Sequence, residues 1–164
     1  YTTLFRSPMQ GLFKYAIALG LIHPGIYWGF TARSEVNVIR IGDLEILTVP
    51  GELYPEIAEG GIEAPAGQDY AVAPVEVPPL RKEVMQGRLN MVIGLANDEI
   101  GYIIPKSQWD EKPPRAYREK GQYGEQNSGG PDVAGVVHSE GKALLERMHA
   151  EFAKAAGQAV AANQ

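Results

Sequence analysis

Residues 47 to 61, LTVPGELYPEIAEGG, deliver a carboxylate from the end of an apolar run. Leu47, Thr48 and Val49 read as the tail of a buried strand, Pro50-Gly51 stops it, and Glu52 follows at once. A second apolar run, NMVIGLAND, ends in Asn97, Asp98 and Glu99, with Gly101-Tyr102 just beyond. A strand tip holds a side chain rigidly while the loops around it shape a pocket, so polar groups at such tips are candidates for catalysis or metal binding. Gly51 and Gly101 allow backbone to approach closely beside both groups. The bland alternative for Glu52 is the first turn of a following helix, where the helix dipole favours an acidic side chain.

The other chemistry-bearing residues form no obvious site. His23, His138 and His149 have neither H-x-x-x-H nor H-x-H spacing, so a local zinc motif is missing. His138 and His149 fall three turns apart on one predicted helix, too distant to share an ion, and all three read as surface or capping residues. Any metal site would need further ligands from outside this chain. Ser128 in QNSGGPD is not in a G-x-S-x-G elbow and reads as part of a loop before a helix. Asp110, Glu111, Arg115 and Arg118 read as a solvated charged stretch.

Composition narrows the partners. The chain has 164 residues, the size of about one domain, and 45% of them are apolar. A net charge of -5, with scattered Lys and Arg, argues against a nucleic-acid partner. Cysteine is absent, which excludes disulfides and Cys-based zinc sites. No apolar run reaches the roughly 18 residues of a membrane span. The opening YTTLFRSPMQG has neither an initiator Met nor a signal-peptide pattern, so the expectation is that Tyr1 lies inside a longer polypeptide.

The elements that must position Glu52 and Tyr102 follow from periodicity. Ser7 as N-cap, Pro8 in the first turn, and Met9, Leu12, Phe13, Ala16 and Ile17 predict a helix stopping at Gly20. Glu35–Ile41 and Leu44–Val49 predict a hairpin turning at Gly42-Asp43. Val36 and Val38 share one face and Ile39 and Ile41 the other, as in a sheet covered on both sides. LYPEIAEGG starts a helix, PPLRKEVMQGRL holds a short one, and residues 62–79 read as a Pro-rich insertion. Residues 106–130, rich in Tyr, Gly and Pro, read as an extended surface or active-site loop. Val133, Val137, Leu144, Met148 and Phe152 predict one long helix to about Ala156, with Gly141 on its apolar side and a frayed tail beyond. The expected fold class is α/β or α+β, a mixed β-sheet flanked by helices within a larger layered α/β domain.

Three of these segments in order, IGDLEILTVPGE, MVIGLANDEIGYIIP and YGEQNSGGPDVAGVV, resemble the neutral/alkaline ceramidases and their bacterial relatives. In that family a Pro-Gly-Glu strand end, a Gly-x-x-Asn-x-x-x-Gly-Tyr segment and a Tyr-rich loop closing on Gly-Pro follow one another. The likeness runs from about Val36 to Leu145. It implies a zinc-dependent amidase that hydrolyses the N-acyl bond of ceramide. Glu52 is then the carboxylate ligand of Zn²⁺, Tyr102 the phenol ligand, and Tyr123 the loop tyrosine that faces the amide and stabilises its oxyanion. Asn97 becomes a supporting or turn-forming residue.

The family's two histidine ligands and its catalytic serine have no counterpart here. They are expected upstream of Tyr1, which makes these 164 residues, as a single domain or fragment, the C-terminal portion of a larger catalytic domain, inactive alone. The expected partners are therefore that missing N-terminal portion, a lipid or N-acyl amide substrate and a membrane surface, in a secreted or periplasmic setting. Departures fall in the loops. Residues 62–79 are additional, IIPKSQW replaces a Thr-Thr-Pro-Glu-Glu-Tyr-like run, and Tyr123-Gly124-Glu125 replaces Tyr-Glu-Gly, so ceramide, another lipid and a different N-acyl amide all remain open. Two readings of other classes stand beside this one. One is a glycosidase using Glu52 and Glu99 as paired carboxylates, and the other is a non-catalytic binding module on the same scaffold.

Overall fold

The computed structural model describes residues 2–8, 27–28, 31–117 and 119–162. Its central feature is the hairpin of β3 (Thr31–Ile41) and β4 (Leu44–Thr48), which pair antiparallel with Ile39 opposite Ile46 and Ile41 opposite Leu44. The turn at Gly42-Asp43 lies where the sequence places it, with Gly42 at a φ of 57°. On the far side of β4, β6 (Leu89–Ile93) pairs parallel to it. At the other edge, β1 (Thr2–Pro8) runs antiparallel to β3, and the short β2 (Tyr27–Trp28) joins the start of β3. The result is a mixed five-stranded sheet in the order β1-β3-β4-β6, in an α+β fold.

The predicted helix starting at Ser7-Pro8 needs correction. Both residues end β1, paired with Ala32 and Thr31. A run of seven cross-strand partners outweighs a local capping signal, and proline is tolerated because β1 is an edge strand. The remainder of that prediction, Met9 to Gly20, lies outside the described residues, as does His23.

One face of the sheet is covered by α3 (Val133–Ala162), a 30-residue helix packed across β3 and β1. Val36, Val38 and Leu47 meet Val133, Val137, Leu144 and Met148 there, with Leu80 and Ile57 closing the core. Gly141 sits on this seam, and a Cβ on it would lie 3.6 Å from both Leu47 Cδ1 and Leu80 Cδ1. The helix extends beyond Ala156 to Ala162, and residues 151 to 158 are exposed. Its alanine-rich tail stays helical through propensity rather than packing. Phe152 is likewise outside the core, lying under the Arg40 guanidinium at 4.7 Å.

The opposite face is where the expectation of two covered sides fails. Ile39, Ile41, Leu89, Met91 and Ile93 are between 39% and 65% exposed. The register lines them up with half-buried Leu44 and Ile46, as Ile41-Leu44-Leu89 and Ile39-Ile46-Met91. Among the described residues, that face is an open apolar surface.

Three polar groups assigned to the surface are paired inside the fold, His138 and Asp110 buried and His149 half-buried. His138 Nε2 lies 2.9 Å from the Pro78 carbonyl. His149 Nε2 is 3.1 Å from both oxygens of the buried Glu45, which also accepts from Arg40 and from the Gln86 N–H. Asp110 is buried and accepts the backbone N–H groups of Ala116 at 2.8 Å and Tyr117 at 3.0 Å. Buried polar groups persist where hydrogen bonds replace the lost water, and partners so distant in the chain are invisible to local pattern. No helix among the described residues is long and apolar enough to cross a membrane.

Between β4 and β6 the chain makes a long crossover. It includes β5 (Glu52–Leu53), the one-turn helix α1 (Pro55–Glu59) and a π-helical turn over Leu80–Val84 closed by Met85 N–H on the Leu80 carbonyl at 2.9 Å. Residues 60–79 are irregular as expected, and Asp69 ties them to the later loop by accepting the N–H groups of Glu111 and Lys112.

Candidate functional site

Past Thr48 the chain leaves the main sheet and forms a second, two-stranded one. There β5 pairs parallel with β7 (Tyr102–Ile103), and Glu52 is the register partner of Tyr102. Alternation along a strand sorts the four side chains. Ile103 is fully buried and Leu53 packs against the core, while Glu52 is exposed and Tyr102 half-buried on the other side. Glu52 is therefore a strand residue; the helix-start alternative fails because Tyr54 occupies the N-cap of α1 and Pro55 its first turn.

The two glycines before these residues make the pairing possible. A Cβ on Gly51 would fall 2.2 Å from the Gly101 carbonyl oxygen. One on Gly101 would fall 1.9 Å from the Asn127 carbonyl oxygen, and Gly101 also has a φ of 83°. Only residues without a side chain let the backbones come this close. The Glu52 N–H donates to the Gly101 carbonyl at 3.0 Å, and the Tyr54 N–H to the Ile103 carbonyl at 3.1 Å.

A third segment clips onto Tyr102. The Tyr102 N–H donates to the Asn127 carbonyl at 3.0 Å, and the Ser128 hydroxyl donates to the Tyr102 carbonyl at 2.6 Å. Ser128 thus braces the strand that carries Tyr102. The same clamp sets α2 (Tyr123–Gln126), so that the Tyr123 ring meets the Tyr102 ring edge-on at 5.8 Å. Tyr123 remains 69% exposed, so its phenol is open to an incoming molecule. Glu52, Tyr102 and Tyr123, each singled out from sequence, stand in one cluster.

Charge within the cluster is one-sided. Burial pushes the Tyr102 phenol above its ordinary range first, the neighbouring Glu52 carboxylate pushes it further, and Tyr123 adds a smaller effect. Without a cation, Tyr102 keeps its proton. A bound cation reverses that balance by favouring the phenolate.

The donor chemistry fits part of a zinc site. Zn²⁺ takes carboxylate and phenolate oxygen, and two ligands at ~2.0 Å in a tetrahedron lie about 3.3 Å apart. The described residues contain no group of three or more His, Cys, Asp or Glu side chains able to hold a metal ion. Glu52 and Tyr102 could supply at most two of the donors such a site needs.

Of the other polar residues at the strand end, Asn97 takes a turn conformation with a φ of 78° and donates to the Thr48 hydroxyl at 3.0 Å. Asp98 accepts from the Ser34 hydroxyl at 2.7 Å and so fastens the turn to β3. Glu99 is exposed on the segment leading to Gly101. Tyr54 is a site neighbour that sequence reasoning passed over. Its ring meets the other side of Tyr102 edge-on at 6.4 Å. The signal was present, since Tyr54 lies two residues after Glu52 and hence on the same side of the strand. No protein-family model, curated protein or solved structure matches this chain.

Proposed function

We propose that this chain is the C-terminal part of a ceramidase-like, zinc-dependent amidohydrolase that cleaves the N-acyl amide bond of a lipid such as ceramide. The observation that carries this reading is the pairing of Glu52 with Tyr102 at matching positions of two parallel strands, with the Tyr123 ring against Tyr102. Glu52 and Tyr102 would hold Zn²⁺ together with donors supplied by the polypeptide that precedes Tyr1. When bound, the ion supplies Lewis acidity and lowers the pKa of a coordinated water. Tyr123 projects its phenol into solvent beside the pair and donates a hydrogen bond to the amide oxygen as negative charge develops there. Ser128 and Asn127 keep Tyr102 in place by holding its backbone at both ends.

The open apolar face of the sheet supports the larger-domain part of the proposal. A continuous surface of Ile, Leu and Met is what a further layer of the same domain would cover. On this reading the substrate reaches the site from a lipid surface, and the protein works outside the cytoplasm.

The test is metal content and amide hydrolysis in the protein carrying its upstream polypeptide. Stoichiometric zinc is expected. Glu52→Gln and Tyr102→Phe should each lower zinc occupancy, while Tyr123→Phe should keep the zinc and slow hydrolysis by 10²-fold or more. Zinc content unchanged in both ligand variants would overturn the assignment.

A further inference from the structure

A buried oxygen that accepts no hydrogen bond costs about 1–3 kcal/mol, so two of them on side chains that line one cavity call for a donor. Next to the Glu52-Tyr102 pair is a cavity of about 260 Å³ lined by Tyr54, Gln108, Tyr117, Gln122 and Glu125. Glu125 is 5% exposed and Gln108 9%. Glu125 Oε1 accepts the Asp110 N–H at 3.2 Å, but its Oε2 is buried without a partner. Gln108 Oε1 is also buried without one. The terminal torsion of a Glu or Gln is broad, so a small rotation turns either oxygen to the cavity.

The charges that act on Glu125 and Tyr117 are negative. Burial, and then the negative charges of Asp110 and Asp69, hold the Glu125 carboxyl above its usual range, while two backbone N–H groups partly offset them. Glu63, Asp110 and Glu56 act on Tyr117 in the same direction. Arg115 of the adjoining loop donates to the carbonyls of Glu111 and Glu119, Lys106 pairs with Asp132, and Lys112 lies over the Tyr70 ring. The cavity therefore has acceptors, negative potential and two aromatic walls.

We propose that this cavity binds a primary ammonium group, accepted by Glu125 Oε2 and Gln108 Oε1 and flanked by the Tyr54 and Tyr117 rings. Ammonium supplies the missing donors, its charge answers the acidic surroundings, and aromatic faces attract cations. The cavity is also joined to the candidate site. Tyr54 is a wall of one and a ring neighbour of Tyr102 in the other, and Glu125 is two residues from Tyr123. If the amidohydrolase reading holds, on which this step rests, the ligand is the amine half of the cleaved amide. Hydrolysis breaks the C–N bond, the acyl carbon takes the hydroxyl of water and the nitrogen takes its hydrogen. At neutral pH the free amine then gains a second proton and enters the cavity as ammonium.

The experiment is a titration of the full 164-residue chain, without metal, with 2-aminoethanol, followed by NMR of the backbone amides, with ethylene glycol as the uncharged control. Saturable shifts at Gln108, Asp110 and Glu125 are expected for the amine and not for the glycol. Glu125→Gln and Gln108→Met, each checked for an unchanged helical circular dichroism signal, should weaken the amine at least fivefold. Equal responses to both probes, or no response to the amine, overturn the proposal. Glu52→Gln separates the two ideas, because it removes a proposed zinc ligand and should leave amine binding intact. Amide hydrolysis by the intact protein without amine binding would sink the cavity assignment alone, and amine binding without hydrolysis would sink the amidase reading alone.

Discussion

Glu52 and Tyr102, fifty residues apart in the chain, are register partners across two parallel strands. The pair depends on three segments meeting, because Gly51, Gly101 and the Asn127-Ser128 clip each remove a different obstacle to it.

The contact can be read from tyrosine ionisation in the metal-free chain. Tyr102 and Tyr117 are both held above the ordinary phenol range, Tyr102 by burial and then Glu52, Tyr117 by burial and then Glu63. A negative neighbour opposes loss of the phenol proton, so removing it lets ionisation occur at lower pH. Glu52→Gln should therefore move one late-titrating tyrosine down in a pH titration followed by absorbance or ring NMR. Tyr102→Phe should abolish that transition, and Tyr117 should titrate as before. An unchanged titration in Glu52→Gln would deny the contact.

Gly101→Ala should be among the most damaging small substitutions in the chain. The added methyl meets the Asn127 carbonyl oxygen at 1.9 Å, and the positive φ disfavours alanine independently. We expect a loss of about 2–3 kcal/mol in chemical denaturation. Gly51→Ala, which meets the Gly101 carbonyl oxygen at 2.2 Å, should behave similarly. Wild-type stability in both would show that the strands can separate without penalty.

Gly141→Ala should act in the opposite direction. A Cβ there reaches Leu47 and Leu80 at ordinary contact distance, and Gly141 lies well inside α3. Replacing a helical glycine removes unfolded-state freedom and should raise stability by about 0.5–1 kcal/mol. A lower melting temperature would mean the helix sits closer to the sheet than these distances indicate.

The open sheet face should bind hydrophobic probes. Ile39 and Met91 flank Ile46 on that face and are both exposed. Replacing both with Lys should at least halve the fluorescence of an apolar dye on the native 164-residue chain and leave helical circular dichroism unchanged, since neither side chain is in the core. Equal dye binding would show that another surface holds it.

Local pattern was enough for much of the scaffold. Alternation separated Val36 and Val38 from Ile39 and Ile41, glycine placed the hairpin turn, and three- and four-residue spacing marked the buried stripe of α3 from Val133 to Met148. These features depend on neighbours within a turn or a strand, which a linear sequence displays. The strand-end position of Glu52 was legible for the same reason, whereas Tyr102 and Tyr123 received their roles from the family resemblance.

Long-range pairing decided the rest. Ser7 and Pro8 became strand because β3 offered them partners, and Asp110, His138 and His149 became interior because N–H or carbonyl groups and Glu45 waited for them elsewhere in the fold. The sequence by itself determined which residues end the strands and which stripes are apolar. Tertiary structure alone decided that β5 lies beside β7 in parallel, because register between distant strands is a property of packed backbones and steric fit at two glycines.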